Sequence, residues 1–189
     1  MAVTIRHVRP ITDDEILELS RRNPGYQFER TVGGELVVTP TGSEGGRRSG
    51  ELFGQLYVWN SRTGYGVAFD SSTGFRLPDG ALLSPNASWV HRDRWQALTP
   101  QDRRGFAPLC PDVVFEIRSE SDALQDLQTK MRSYIANGAQ LGVLVNPQDR
   151  AVEIYRLGRD PERLRIPESV TLDPELPGFV LDMEPIFAE

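Results

Sequence analysis

This chain is short of lysine. Lys130 stands alone against twenty arginines in a Lys+Arg total of 21. The two cations are not interchangeable: a guanidinium stays charged in a protein, whereas an ammonium is a compact charge that responds to burial. Cysteine is equally scarce. Cys110 has no second thiol in the sequence, which excludes an internal disulfide and fits a reducing compartment. Beside Pro111 it has the place of a small buried hydrophobe. The two histidines, His7 and His91, lack a recognisable nucleophile partner, and no elbow motif surrounds Cys110 or Ser119, which argues against a Ser or Cys hydrolase. No run approaches the roughly 20 apolar residues of a spanning helix, and Met1 to Pro10 lacks an apolar signal-peptide core. The expectation is a cytoplasmic protein with no membrane partner. There is no GxGxxG or GxxxxGK motif and no internal repeat.

What is present fits an ordinary folded protein. The 189 residues are 39% hydrophobic and 25% charged, enough for one domain whose folding removes about 70% of its surface from water. A net charge of −6 argues against a basic nucleic-acid coat protein, but leaves room for a local basic cleft or a cation site. The expected layout is an N-terminal helix and hairpin over 1–45, a core over 46–156, and short strands and turns over 157–189.

The periodicities give the elements. Thr12 with Glu15 forms a capping box for a first helix, stopped at Asn23-Pro24-Gly25. Tyr26–Glu29 and Glu35–Thr39 form a hairpin around Gly33-Gly34. Pro40–Gly46 is a loop of turn formers. A helix over 46–61 follows, with Leu52, Leu56 and Trp59 on one face. Strands are expected over Val67–Asp70, Gly74–Leu77 and Leu82–Val90, the last interrupted at Pro85-Asn86. Arg92–Gly105 is polar and partly helical. Val113–Ile117 is nearly all apolar, as a central strand should be. Asp122–Asn137 is a helix with an Asp122–Gln125 capping pair and Gly138 just beyond its end. Strands Leu141–Val145 and Val152–Arg156 follow. The order predicts a mixed α/β or α+β sheet carrying helices.

Glu116 breaks the apolar pattern of its strand. Alternation puts Asp112, Val114, Glu116 and Arg118 on one face, and a buried carboxylate there must be paired, hydrogen-bonded or on a metal. The plain alternative is a salt bridge to Arg118 or another arginine. Asp112 and Glu116 lie about 13 Å apart along the strand, too far to share one ion, so a second ligand must come from a neighbouring strand. Asn86 is placed to supply it. Lys130 flanks the helical stripe beside Tyr134, and its stem can lie along the sheet toward Glu116.

Five runs resemble the Uma-two type of endonucleases, within the PD-(D/E)XK restriction-endonuclease-like superfamily. They are Gly74–Gly80 followed by Ser84–Val90, then Pro111–Glu116, then Lys130–Gly138 followed by Leu141–Val145. Gly34–Pro40 resembles the N-terminal hairpin of that type. The resemblance implies a central mixed sheet flanked by helices and a Mg²⁺-dependent (or Mn²⁺-dependent) nuclease site acting on DNA. By position, Pro85-Asn86 matches the proline–acid motif with an amide in place of the acid. Glu116 matches the second acid. Arg118 stands where the wider superfamily has its lysine, which in this type has moved to the helix, at Lys130. Glu51 matches an accessory helix acid. Asn86 removes one negative charge, so metal binding is expected to be weak. Tyr134 and Asp112 join the candidate set as accessories, and Arg47, Arg48 and Arg118 are candidate phosphate contacts. A homodimer is expected. The competing reading is a noncatalytic binding module on the same fold.

Overall fold

The structure, a computed structural model, describes residues 3–6 and 9–188. The elements are β1 (Val3–Ile5), α1 (Asp13–Arg22), β2 (Tyr26–Arg30), β3 (Leu36–Pro40), α2 (Ser43–Thr63), β4 (Gly66–Asp70), β5 (Phe75–Arg76), β6 (Leu82–Leu83), β7 (Ala87–His91), α3 (Arg92–Ala97) and β8 (Val113–Ile117). Then come α4 (Leu124–Ala136), β9 (Leu141–Asn146), β10 (Ala151–Arg156), β11 (Glu162–Arg165), β12 (Ser169–Thr171), β13 (Val180–Asp182) and α5 (Glu184–Phe187).

The main sheet has the order β11-β10-β9-β8-β7-β4. Its central pair, β8 and β9, is parallel, and its other neighbours are antiparallel. A parallel pair needs a crossover, and α4 provides it. The sheet is therefore mixed and carries helices, as the sequence predicts. A second, antiparallel sheet, β1-β3-β2-β6-β5, is built on the N-terminal hairpin. A two-stranded sheet, β12-β13, lies near the end of the chain.

Alternation along β8 divides the core. Val113, Phe115 and Ile117 pack with Leu52, Leu56 and Trp59 of α2 and with Leu176, Leu181 and Ile186. Val114 faces the other way, with Met131 and Tyr134 of α4. Burying each such side chain stabilises the fold by about 1.5–3 kcal/mol. A third cluster seats Ile16 of α1 on Phe28, Leu36 and Leu82.

Two helix starts differ from expectation. α2 begins at Ser43, inside the stretch expected to be loop. Glu44 holds Arg47 and Arg48 one turn on, and Arg47 also donates to the Pro185 and Ala188 carbonyls, both at 2.7 Å. These bonds offset the glycine content of that turn. At the start of α4 the Asp122–Gln125 capping pair does not form. Asp122 instead accepts from the N–H and hydroxyl of Ser119, at 2.9 and 2.7 Å, and the helix starts after Ala123 with no side-chain cap. The capping box of Thr12 and Glu15 does form. Gly138 closes α4 with φ of 103°, a conformation that favours glycine. Among the described residues no helix is long and apolar enough to cross a membrane.

Candidate active site

Glu116 is 4% exposed. Its Oε1 lies 2.7 Å from Lys130 Nζ and accepts a 3.1 Å hydrogen bond from the Tyr134 hydroxyl. Lys130 and Tyr134 are four residues apart on α4, so they share a helix face, and that face meets the strand where the glutamate interrupts it. The lysine side chain is 18% exposed. The same ammonium is 2.8 Å from Oε1 of Glu29, which comes from β2 in the other sheet. Glu29 Oε1 also accepts from the Ser84 N–H at 2.6 Å. One cation therefore stands between two carboxylates carried by two different sheets.

Burial sets the electrostatics. It pushes Glu116 up from the ordinary 4.5; Lys130 opposes that shift, Glu29 adds to it, and the result is about 7. Burial also pulls on Lys130, but the two carboxylates outweigh it and hold the ammonium charged, above its ordinary value. Tyr134, buried and beside Glu116, is raised well above the usual phenol range. It is a neutral donor at any physiological pH. Burying ions costs several kcal/mol each, recovered only with close partners, and here each buried ion has one.

Asn86 directly precedes β7. The pairing of Ala87 with Phe115 puts it beside the Glu116 position on the neighbouring strand. Its Oδ1 accepts from the Ile117 N–H and its Nδ2 donates to Ser49 Oγ, both at 2.8 Å. Among the described residues no hydrogen bond joins it to Glu116 or Lys130. Arg118 does not pair with Glu116. It donates to the Asp122 carbonyl at 3.1 Å and to Asn146 Oδ1 at 3.5 Å.

Asp112, before the other end of β8, is enclosed by the His91 N–H, Arg94 and Gln140 at 2.8, 2.7 and 3.0 Å. Glu51 is exposed and lines a groove with Pro177 to Val180, on the side of α2 away from Ser49. Arg47 and Arg48 are engaged by Glu44. His91 caps α3 through Asp93 N–H, and His7 lies outside the described residues. Cys110 is buried, and its thiol is pushed up to about 12 by that burial, so it is no nucleophile.

Sequence reasoning missed Glu29, Ser49 and Ser84. A glutamate on a hairpin strand has nothing to distinguish it. The one available hint is that Gln27 and Glu29 put two polar side chains on the same face of β2.

Among the described residues no group of three or more His, Cys, Asp or Glu side chains is arranged to hold a metal. Two carboxylates nevertheless converge on a cation, and hard oxygen donors of that kind suit Mg²⁺ or Mn²⁺. A carbonyl oxygen has two lone pairs, so Asn86 Oδ1 retains one beyond its bond to Ile117. In donor type alone these oxygens suit a divalent ion, with one negative charge fewer than three carboxylates would give, and the Lys130 ammonium stands between the two carboxylates.

The mixed sheet with its helical crossover is of the restriction-endonuclease-like class, and comparison with a solved structure bears this out. The chain is similar to a crystal structure described as a putative nuclease belonging to DUF820 from Anabaena variabilis ATCC 29413. The TM-score is 0.74 at 19% identity, covering 94% of this chain and 98% of that one. Residues 13–184 match the family model Uma2, described as "Putative restriction endonuclease". The protein belongs to the Uma2 family. No curated protein matches it.

Proposed function

We propose that the protein is a divalent-metal-dependent endonuclease that hydrolyses phosphodiester bonds of DNA at Glu29, Glu116 and Lys130. The observation that carries this reading is the ammonium shared by two carboxylates from separate sheets. Glu29 and Glu116 would hold Mg²⁺ or Mn²⁺, with Asn86 Oδ1 beside them. When bound, such an ion supplies Lewis acidity toward a phosphate oxygen and a more acidic water. Lys130 is the mobile donor: it leaves one carboxylate to meet a phosphate oxygen as negative charge grows there. Tyr134 keeps Glu116 oriented by holding Oε1. Arg118, just past the end of β8, would meet a flanking phosphate on leaving the Asp122 carbonyl and Asn146. A homodimer would bring two such sites to the two strands of a duplex. The protein would act in the cytoplasm.

The noncatalytic module is favoured by one observation. Both polar ends of the Asn86 amide are already engaged, by Ile117 and Ser49. Nicking of plasmid DNA and cleavage of single strands, with Mg²⁺ or Mn²⁺ and with chelator, separate the two readings. The nuclease reading expects metal-dependent cleavage that Glu116→Gln and Lys130→Met both abolish. Wild type that binds the ion by calorimetry but leaves both DNAs intact would establish the module.

A further inference from the structure

The far edge of the main sheet carries a second cationic feature. β11 is the outermost strand. Alternation along it sets Arg163 and Arg165 on one face, Glu162 and Leu164 on the other, and Leu164 packs on the core. Pairing fixes the face that the arginines take. Glu116 pairs with Leu144, Leu144 with Glu153 and Glu153 with Arg163, so Arg163 stands in the row of the candidate active site. In the next row Asn146 pairs with Ala151 and Ala151 with Arg165, and Arg118 adjoins Asn146 at the end of β8. A chain of hydrogen bonds links these rows at their open end. Asn146 accepts from Arg118 at 3.5 Å and donates to Asp149 Oδ2 at 3.0 Å, and that oxygen also accepts from Arg163 at 3.2 Å. Asp149, Arg163, Arg165 and Ile166 line a depression of about 370 Å³. The Arg163 side chain is 42% exposed. Arg165 is exposed too, and its side chain has neither an ion pair nor a hydrogen bond among the described residues. Arg150, across the turn, is by contrast laid over the Phe187 ring.

We infer that Arg163 and Arg165 hold the phosphodiester backbone of DNA that flanks the scissile bond, on the β11 side of it; this rests on the nuclease reading. A chain of net charge −6 can hold a polyanion only through local cations. Guanidinium forks match pairs of phosphate oxygens. An edge strand is also guarded from pairing with another chain by charge, but either sign serves that end. Here the outward face is arginine twice over, while the strand's one acid points the other way. Neighbouring strands lie about 4.8 Å apart, so three steps put Arg163 about 14 Å from Glu116. That is about four steps of a duplex at about 3.4 Å of axis per nucleotide. These arginines therefore meet a phosphate other than the reacting one. They are positioning residues, whose loss weakens the hold on substrate and spares the chemical step.

Fluorescence anisotropy of a labelled duplex in chelator, and cleavage kinetics with Mg²⁺ or Mn²⁺, test this on the full chain. The Arg163→Gln/Arg165→Gln chain should bind about tenfold more weakly at low salt, and its slope of log affinity against log salt should be shallower by about 2. Its KM should rise by a like factor with kcat within a few fold of wild type. Arg159→Gln, an exposed arginine in the turn of the same hairpin, should change neither. Wild type that binds no DNA overturns the inference. So does a double variant that binds as wild type does, or a loss that Arg159→Gln reproduces. Should wild type cleave nothing while the double variant still loses affinity, the nuclease reading fails and the arginine track stands. Should wild type cleave and the double variant keep its KM, the track fails and the nuclease reading stands.

Discussion

Two buried carboxylates share the α4 face of the main sheet and meet opposite fates. The pairings of Glu116 with Leu144 and of Leu144 with Glu153 set them in one row across three strands. α4 lies over that row and serves both. On one side Glu116 receives the charged Lys130 and the Tyr134 hydroxyl. On the other, Glu153 receives Gln128 Nε2 on both oxygens, at 3.0 and 3.1 Å, and the Tyr155 hydroxyl at 2.5 Å. Glu153 is satisfied by neutral donors that have no other task, which makes a closed structural knot. Glu116 competes with Glu29 for one cation, and that competition leaves a charge that can be redirected. On the proposed function, then, burial alone does not single out the acid that works in the reaction; the sharing of its counterion does.

The contrast can be broken most sharply by neutralising each acid. Glu116→Gln should lower kcat/KM for DNA cleavage at least a hundredfold, about what removing one transition-state group does elsewhere. Glu153→Gln should leave kcat/KM within a few fold and show its cost, ~1–3 kcal/mol, in urea unfolding. Equal losses of activity would erase the distinction.

Next in size is Lys130→Met. It leaves two carboxylates facing each other without their cation, at a cost of about 3–5 kcal/mol, and a second change, Glu29→Gln, should return part of it. Gln128→Met beside Glu153 should cost less, ~1–3 kcal/mol. Denaturant midpoints at pH 8 compare the two.

The pH dependence sharpens the same contrast. Glu116 in the folded protein is raised from 4.5 to about 7, so between those values the folded state binds more protons than the unfolded. Its contribution to stability is fully present below pH 4.5 and is lost as pH rises to 7, on the order of 3 kcal/mol. Glu116→Gln should flatten the stability profile over that window. Cleavage, which needs the ionised acid, should rise over the same range. A rate profile that is level from pH 5 to 8 would contradict the assigned role. The smallest expected effect is Asn86→Asp, which adds one charge beside Glu116 and should tighten Mg²⁺ binding about tenfold by calorimetry. Unchanged affinity would show that residue 86 stands apart from the ion.

Much of this was legible from the residues. Alternation in Val113–Ile117 exposed Glu116 as an anomaly, and the helical stripe placed Lys130 beside Tyr134 with its stem toward the sheet. Those contacts depend on local periodicity and one crossover. Glu29 was not legible, because its approach to Lys130 joins segments a hundred residues apart through the packing of one sheet on another, which no local pattern encodes. The start of α2 was misjudged for a related reason: glycine propensity argues for a loop, while Arg47 reaching the carbonyls of Pro185 and Ala188 supplies tertiary support from the far end of the chain. Asn86 was visible as a departure, but not its engagement with Ser49.

The lone lysine also works as a latch. Through it the hairpin sheet is fastened to the main one, Glu29 on one side and Glu116 on the other. If Lys130 meets substrate as proposed, an anion that draws this charge away would remove one tie on Tyr26–Arg30, leaving its pairing with β3 and the Glu29–Ser84 bond in place. Faster amide exchange in that strand on adding uncleavable DNA would register the release, and a lysine with a single carboxylate to hold could not transmit it.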